Sequence, residues 1–122
     1  MAKKILLVDD AAFMRKMIKD TLTKNGYTEV YEAVDGADAV AKFSELAPDL
    51  VVMDITMPNM DGLEALKTIR AKDGSANVVM CSAMGQEGMV MDAVRSGAKD
   101  FIVKPFKPER VLKTVSTILG NP

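Results

Sequence analysis

Leu50-Val51-Val52-Met53-Asp54-Ile55-Thr56-Met57-Pro58 opens on four apolar residues in succession and then presents a carboxylate. An apolar run this short, with no polar alternation, fits a strand covered on both faces, as in a parallel sheet. Ile5–Val8, Val78–Cys81 and Phe101–Val103 share that solid character, and Val30–Ala33 is a weaker fifth run. Between the runs, apolar residues recur at helical spacing. Phe13, Met14, Met17, Ile18 and Leu22 mark the first helix, and Ala39, Val40, Phe43 and Leu46 the second. Leu63, Leu66 and Ile69 mark the third, and Met89, Val90, Ala93 and Val94 the fourth. Val111, Leu112, Val115, Ile118 and Leu119 mark the last.

The punctuation agrees with this alternation. Asn25-Gly26, Pro48, Asp73-Gly74 and Gly97 follow the first four helices, while Asp35 and Pro108 stand where the second and fifth begin. The pattern is (βα)₅, and right-handed crossovers then put helices on both faces of a five-stranded parallel sheet. By analogy we expect the flavodoxin-like strand order 2-1-3-4-5. No repeat, linker or low-complexity tract divides residues 1–122, so one domain is expected.

Composition narrows the chemistry. The chain has 122 residues, 48% hydrophobic and 27% charged, with a net charge of −1. That balance carries no electrostatic footprint for nucleic acid or an anionic membrane. No apolar run approaches the ~20 residues of a membrane span. The lone Cys81 cannot form an internal disulfide, which fits a reducing cytoplasm. The absence of histidine excludes Ser–His–Asp triads and the usual zinc sites.

In open parallel sheets, ligands bind beyond the carboxyl ends of the strands, where strand order reverses. Those ends carry Asp9 and Asp10, then Asp54, Ser82 and Lys104. A single Asp there is best read as a helix cap. Three that converge repel one another and call for a cation. All-oxygen ligands favour a hard ion, Mg²⁺ or Mn²⁺. A carboxylate can itself attack phosphorus, and the metal with Lys104 would neutralise the phosphoryl oxygens.

Val8-Asp9-Asp10, Met53-Asp54-Ile55-Thr56-Met57-Pro58, Cys81-Ser82-Ala83 and Lys104-Pro105-Phe106 resemble the receiver domain of bacterial two-component response regulators. The resemblance covers essentially the whole chain. Asp9-Asp10-Ala11-Ala12-Phe13-Met14-Arg15 and Cys81-Ser82-Ala83-Met84-Gly85-Gln86 resemble the stand-alone chemotaxis members of that family. It implies Asp54 as phosphoacceptor, with Asp10 and Asp54 ligating Mg²⁺ directly and Asp9 mainly through water. It further implies Thr56 as a ligand through its backbone carbonyl, Lys104 paired with phosphoryl oxygens, and a cis Lys104–Pro105 bond.

Switching is implied at Ser82, whose hydroxyl moves to the phosphoryl group, and at Phe101, which rotates into the vacated space. A plain core role for Phe101 is an equal alternative. Met84 and Thr56 would border the path of the hydrolytic water, and Gly85 and Gly88 could ease movement of the fourth helix. The implied partners are a sensor histidine kinase, the flagellar motor switch protein and a phosphatase, with the chain itself a monomer. The expected protein is a switch that catalyses its own phosphorylation and dephosphorylation, not a turnover enzyme.

Other readings fit less well. A haloacid dehalogenase phosphatase needs an acid two residues beyond its nucleophile, where Thr56 stands. A flavodoxin's first loop would not be Asp9-Asp10-Ala11-Ala12, which repels phosphate. Among receivers, a phosphorelay intermediate and a receiver fragment of a DNA-binding regulator are the alternatives. The end at Gly120-Asn121-Pro122 favours a stand-alone protein, although a fragment would look the same.

Overall fold

The computed structural model describes residues 3–122. Five strands alternate with five helices: β1 (Lys4–Val8), α1 (Ala12–Lys24), β2 (Glu29–Ala33), α2 (Gly36–Leu46), β3 (Leu50–Asp54), α3 (Gly62–Lys72), β4 (Val78–Ser82), α4 (Glu87–Arg95), β5 (Asp100–Val103) and α5 (Pro108–Leu119). The strands form one parallel sheet in the order β2-β1-β3-β4-β5, as expected. No helix among the described residues is long and apolar enough to cross a membrane.

Successive side chains of a strand point to opposite faces, so each apolar run feeds two cores. Leu6, Val8, Val51 and Met53 pack with Ala39, Phe43, Leu66 and Ile69 on the α2–α3 side. Ile5, Leu7, Leu50 and Val52 pack with Ile18, Leu22, Val111 and Val115 on the α1–α5 side. β3 and β4 are buried at every residue, which is why neither alternates in sequence.

Helix boundaries follow local chemistry. Asp35 caps α2 by accepting from the Asp38 N–H, and Asp61 caps α3 by accepting from the Glu64 N–H. Gly26 and Gly97 take positive φ just past α1 and α4, and Pro108 stands in the first turn of α5.

Three expectations need correction, one of them Val94, a marker of the fourth helix that is 47% exposed. Phe13, read as a marker of the buried face of the first helix, is 71% exposed, because it lies in the first turn, beyond the strand ends. Phe101 is not a plain core residue: it is 40% exposed, with Val103 open beside it and only Ile102 fully buried. β5 is an edge strand, and Met91 and Val94 of the nine-residue α4 are themselves open, so the outer face of β5 stays partly uncovered.

Candidate functional site at the strand ends

The sheet brings four sequence-distant segments to one ledge. β1 runs directly into Asp9, β3 ends on Asp54, β4 ends on Ser82, and β5 runs into Lys104. β1, β3, β4 and β5 are consecutive in the sheet, so the ledge inherits its spacing from the hydrogen-bond ladder. Asp54 faces Cys81 in register, and the Ile55 N–H donates to the Cys81 carbonyl at 3.0 Å. The Lys104 N–H donates to the Ser82 carbonyl at 2.6 Å, which carries the pairing of β4 and β5 past the last ladder residue.

One oxygen from each of Asp9, Asp10 and Asp54 lies within 4.8 Å of the others. Asp9 and Asp54 are buried, while Asp10 is exposed. The Lys104 ammonium stands between the two buried carboxylates, 3.1 Å from Asp54 Oδ2 and 3.4 Å from Asp9 Oδ2. Asp9 Oδ1 accepts from the Ala11 N–H at 2.8 Å, which turns the chain into α1. Arg15 braces the same turn. Its Nη1 donates to the Asp9 carbonyl at 2.5 Å, and its Nε pairs with Glu32 at 3.0 Å.

Burial pushes the Asp54 carboxyl above its ordinary range, and the Asp9 charge pushes the same way; the hydrogen bond and charge of Lys104 offset only part of this. Burial pulls the Lys104 ammonium down, but its hydrogen bond with Asp54 and the charges of Asp54 and Asp9 leave it raised overall. An ion pair in which the acid is still raised is under-neutralised. One lysine does not balance three carboxylates, and a second cation fits the pocket. The donor set agrees: it is all oxygen, clustered, and open to solvent at Asp10, as a hard divalent ion that keeps its waters requires.

The flanking loops are tightly placed. The peptide between Lys104 and Pro105 is cis. A Cβ on Gly62 would overlap the Asp54 carbonyl oxygen, and one on Gly36 would overlap that of Met60, so both positions admit only hydrogen. Asn59, at φ 67°, donates from its side chain to the Asp35 cap at 2.6 Å, joining the β3–α3 loop to α2.

Ser82 is 1% exposed beneath the β4–α4 loop. Thr56 and Gln86 join the β3–α3 and β4–α4 loops: Gln86 Nε2 donates to Thr56 Oγ1 at 2.6 Å, and Gln86 Oε1 accepts from the Ala83 N–H at 2.6 Å. Gln86 had no role in the sequence reading, because nothing in its local pattern marks a contact thirty residues away. Phe101 lies apart from the carboxylates, lining an apolar groove with Met91, Val94 and Val103 that reaches Ser82 at one end.

Comparison with known proteins agrees with this geometry. Residues 5–116 match the model of the response regulator receiver domain. The chain is 61% identical over 120 residues to the chemotaxis protein CheY of Bacillus subtilis, covering 98% of this chain and 100% of that one. It is 54% identical over 118 residues to CheY of Thermotoga maritima, covering 97% and 98%. Among solved structures, the CheX–CheY–BeF₃–Mg²⁺ complex from Borrelia burgdorferi aligns with a TM-score of 0.89 at 40% identity, over 95% of this chain and 88% of that one. The chain belongs to the response regulator receiver family, and it is a receiver of the chemotaxis kind.

Proposed function

We propose that Asp54 accepts a phosphoryl group from a phosphohistidine of a sensor kinase, and that the resulting charge switches the chain's affinity for the flagellar motor. The observation that carries this reading is the meeting of Asp9, Asp10 and Asp54 with Lys104 bridging the two buried members. In the transfer an Asp54 oxygen attacks phosphorus, the P–N bond to the imidazole breaks, and the departing nitrogen takes a proton from solvent. Lys104 holds the Asp54 carboxylate in place and then pairs with the incoming oxygens. Asp9, Asp10, Asp54 and the Thr56 carbonyl would hold Mg²⁺, with Mn²⁺ as substitute; when bound, the ion supplies positive charge to the transferring phosphoryl group.

Ser82 and Phe101 form the switch, linking the pocket to the groove between α4 and β5. In this reading the chain is one receiver domain, a cytoplasmic monomer, that promotes its own phosphorylation and dephosphorylation and is also served by a phosphatase. The Borrelia CheY complex, which contains BeF₃ and Mg²⁺, supports the same ion and phosphoryl mimic here.

The test is acetyl-phosphate labelling read by intact mass. Wild type should gain one phosphoryl group in Mg²⁺ and none in excess chelator. Asp54→Asn should gain none, because an amide is a poor nucleophile. Undiminished labelling of the variant at this site would overturn the assignment.

A further inference from the structure

The hydrogen bonds of Gln86 give the pocket a part that the carboxylates and Lys104 do not supply. Its side-chain amide spans the β3–α3 and β4–α4 loops. One end donates to Thr56 Oγ1 in the β3–α3 loop, and the other accepts from the Ala83 N–H in the β4–α4 loop, each at 2.6 Å. Gln86 is also the N-cap residue of α4, yet its side chain caps nothing in that helix. It is turned back toward the strand ends instead. Gly85, at φ 90°, makes the bend that allows this.

Asp54 is the last residue of β3, and Ala83 is the first residue beyond its neighbour β4. A group added to the Asp54 carboxylate grows outward from the strand end, into the space between the two loops that this carboxamide joins. Its anionic oxygens would compete for the Ala83 N–H, which is already engaged by a neutral acceptor. Hydrogen bonds to an ionised acceptor are about twice as strong as neutral ones, so the phosphoryl oxygen wins the N–H.

We infer that Gln86 is a clamp across the unphosphorylated pocket, a positioning residue displaced when Asp54 is phosphorylated. This rests on the reading of Asp54 as phosphoacceptor. Displacement frees the residue at the head of α4, so the first turn of that helix is released by the same event that fills the pocket. The clamp thus opposes phosphorylation and carries its signal to α4.

The sign of the effect separates a clamp from a structural prop. Gln86→Met keeps the size of the side chain and removes both hydrogen bonds. Wild type and variant are titrated with beryllofluoride in saturating Mg²⁺, followed by the Ala83 amide in ¹H–¹⁵N spectra, and unfolded in urea. The variant should bind beryllofluoride about three- to tenfold more tightly, the competition of about one net hydrogen bond having been removed. Before beryllofluoride is added, its Ala83 amide should exchange with solvent faster than in wild type.

Thr56→Val removes the other end of the clamp and leaves the backbone intact. It should shift affinity in the same direction, and it carries the test if Gln86→Met does not fold. Equal or weaker binding by the variants, with normal binding by wild type, overturns the clamp and leaves Asp54 in its role. Absence of binding in wild type as well overturns both.

Discussion

Gly62→Ala tests whether the pocket is built as tightly as it looks. The new methyl would overlap the Asp54 carbonyl oxygen and lie 2.9 Å from both the Asp54 carbonyl carbon and Ile55 Cα. All three are backbone atoms, so no flexible side chain can swing aside. Overpacking of this kind costs typically ~1–3 kcal/mol. Moving the chain also strains the bond from the Gly62 N–H to the Ile55 carbonyl, 2.6 Å long, for a further loss of about 1 kcal/mol. Replacing glycine by alanine in a helix returns about 0.4–1 kcal/mol. The expected net loss is roughly 1–3.5 kcal/mol by these magnitudes.

Urea unfolding should show a lower midpoint with an unchanged slope. Gly74→Ala is the control, since a Cβ there meets nothing within 4 Å and should be neutral or slightly stabilising. Because the methyl presses on the carbonyl of Asp54, the proposed phosphoacceptor, Gly62→Ala should also weaken beryllofluoride binding, and Gly74→Ala should not. A Gly62→Ala protein as stable as the Gly74→Ala control would refute the close approach.

Cys81 offers a second measurement. Burial first, then the charge of Asp54, pushes its thiol up to about 12, so in native protein at pH 8 it should react with a disulfide reagent roughly 10³-fold more slowly than an ordinary thiol, and at the ordinary rate in urea. Asp35 is held below the usual carboxylate range by the Asp38 N–H it caps and by Asn59. A depressed folded-state value contributes stability above the unfolded pKa that is lost as pH falls through the folded one. Asp35→Asn, which keeps a capping side chain, should therefore flatten the acid limb of the stability curve below about pH 4. Met84, 81% exposed and two residues beyond Ser82, offers no polar group to a hydrolytic water. Met84→Glu should hasten loss of the phosphoryl group from Asp54, and equal or slower loss would count against a role for this position.

The strands were legible because a parallel strand buried on both faces has no polar alternation to hide it, as Leu50–Met53 and Val78–Cys81 illustrate. Both extend one residue further in the structure, to Asp54 and Ser82, because the backbone ladder continues where the apolar run stops. The weaker second run follows from its place at the sheet edge, where Glu29 and Glu32 face partly outward. The acidic cluster was legible because strand ends in this topology share one ledge. The exposure of Phe13 was not, since helical spacing marks a face without saying how far the first turn overhangs the sheet. The Asp61 cap and the Gln86 bridge also escaped. The first lies in a loop crowded with other turn residues, and the second exists only when Thr56 and Ala83 are brought together.

Asp54 stands on β3, flanked by β1 and β4 and covered on both faces, whereas Phe101, Val103, Met91 and Val94 lie open toward the edge. This placement separates what substitution can alter freely from what it cannot. A change in β3 is felt by two cores at once, while a change on the open groove disturbs neither. Descendants of such a chain can therefore acquire new listeners at the edge without relearning the chemistry at the centre.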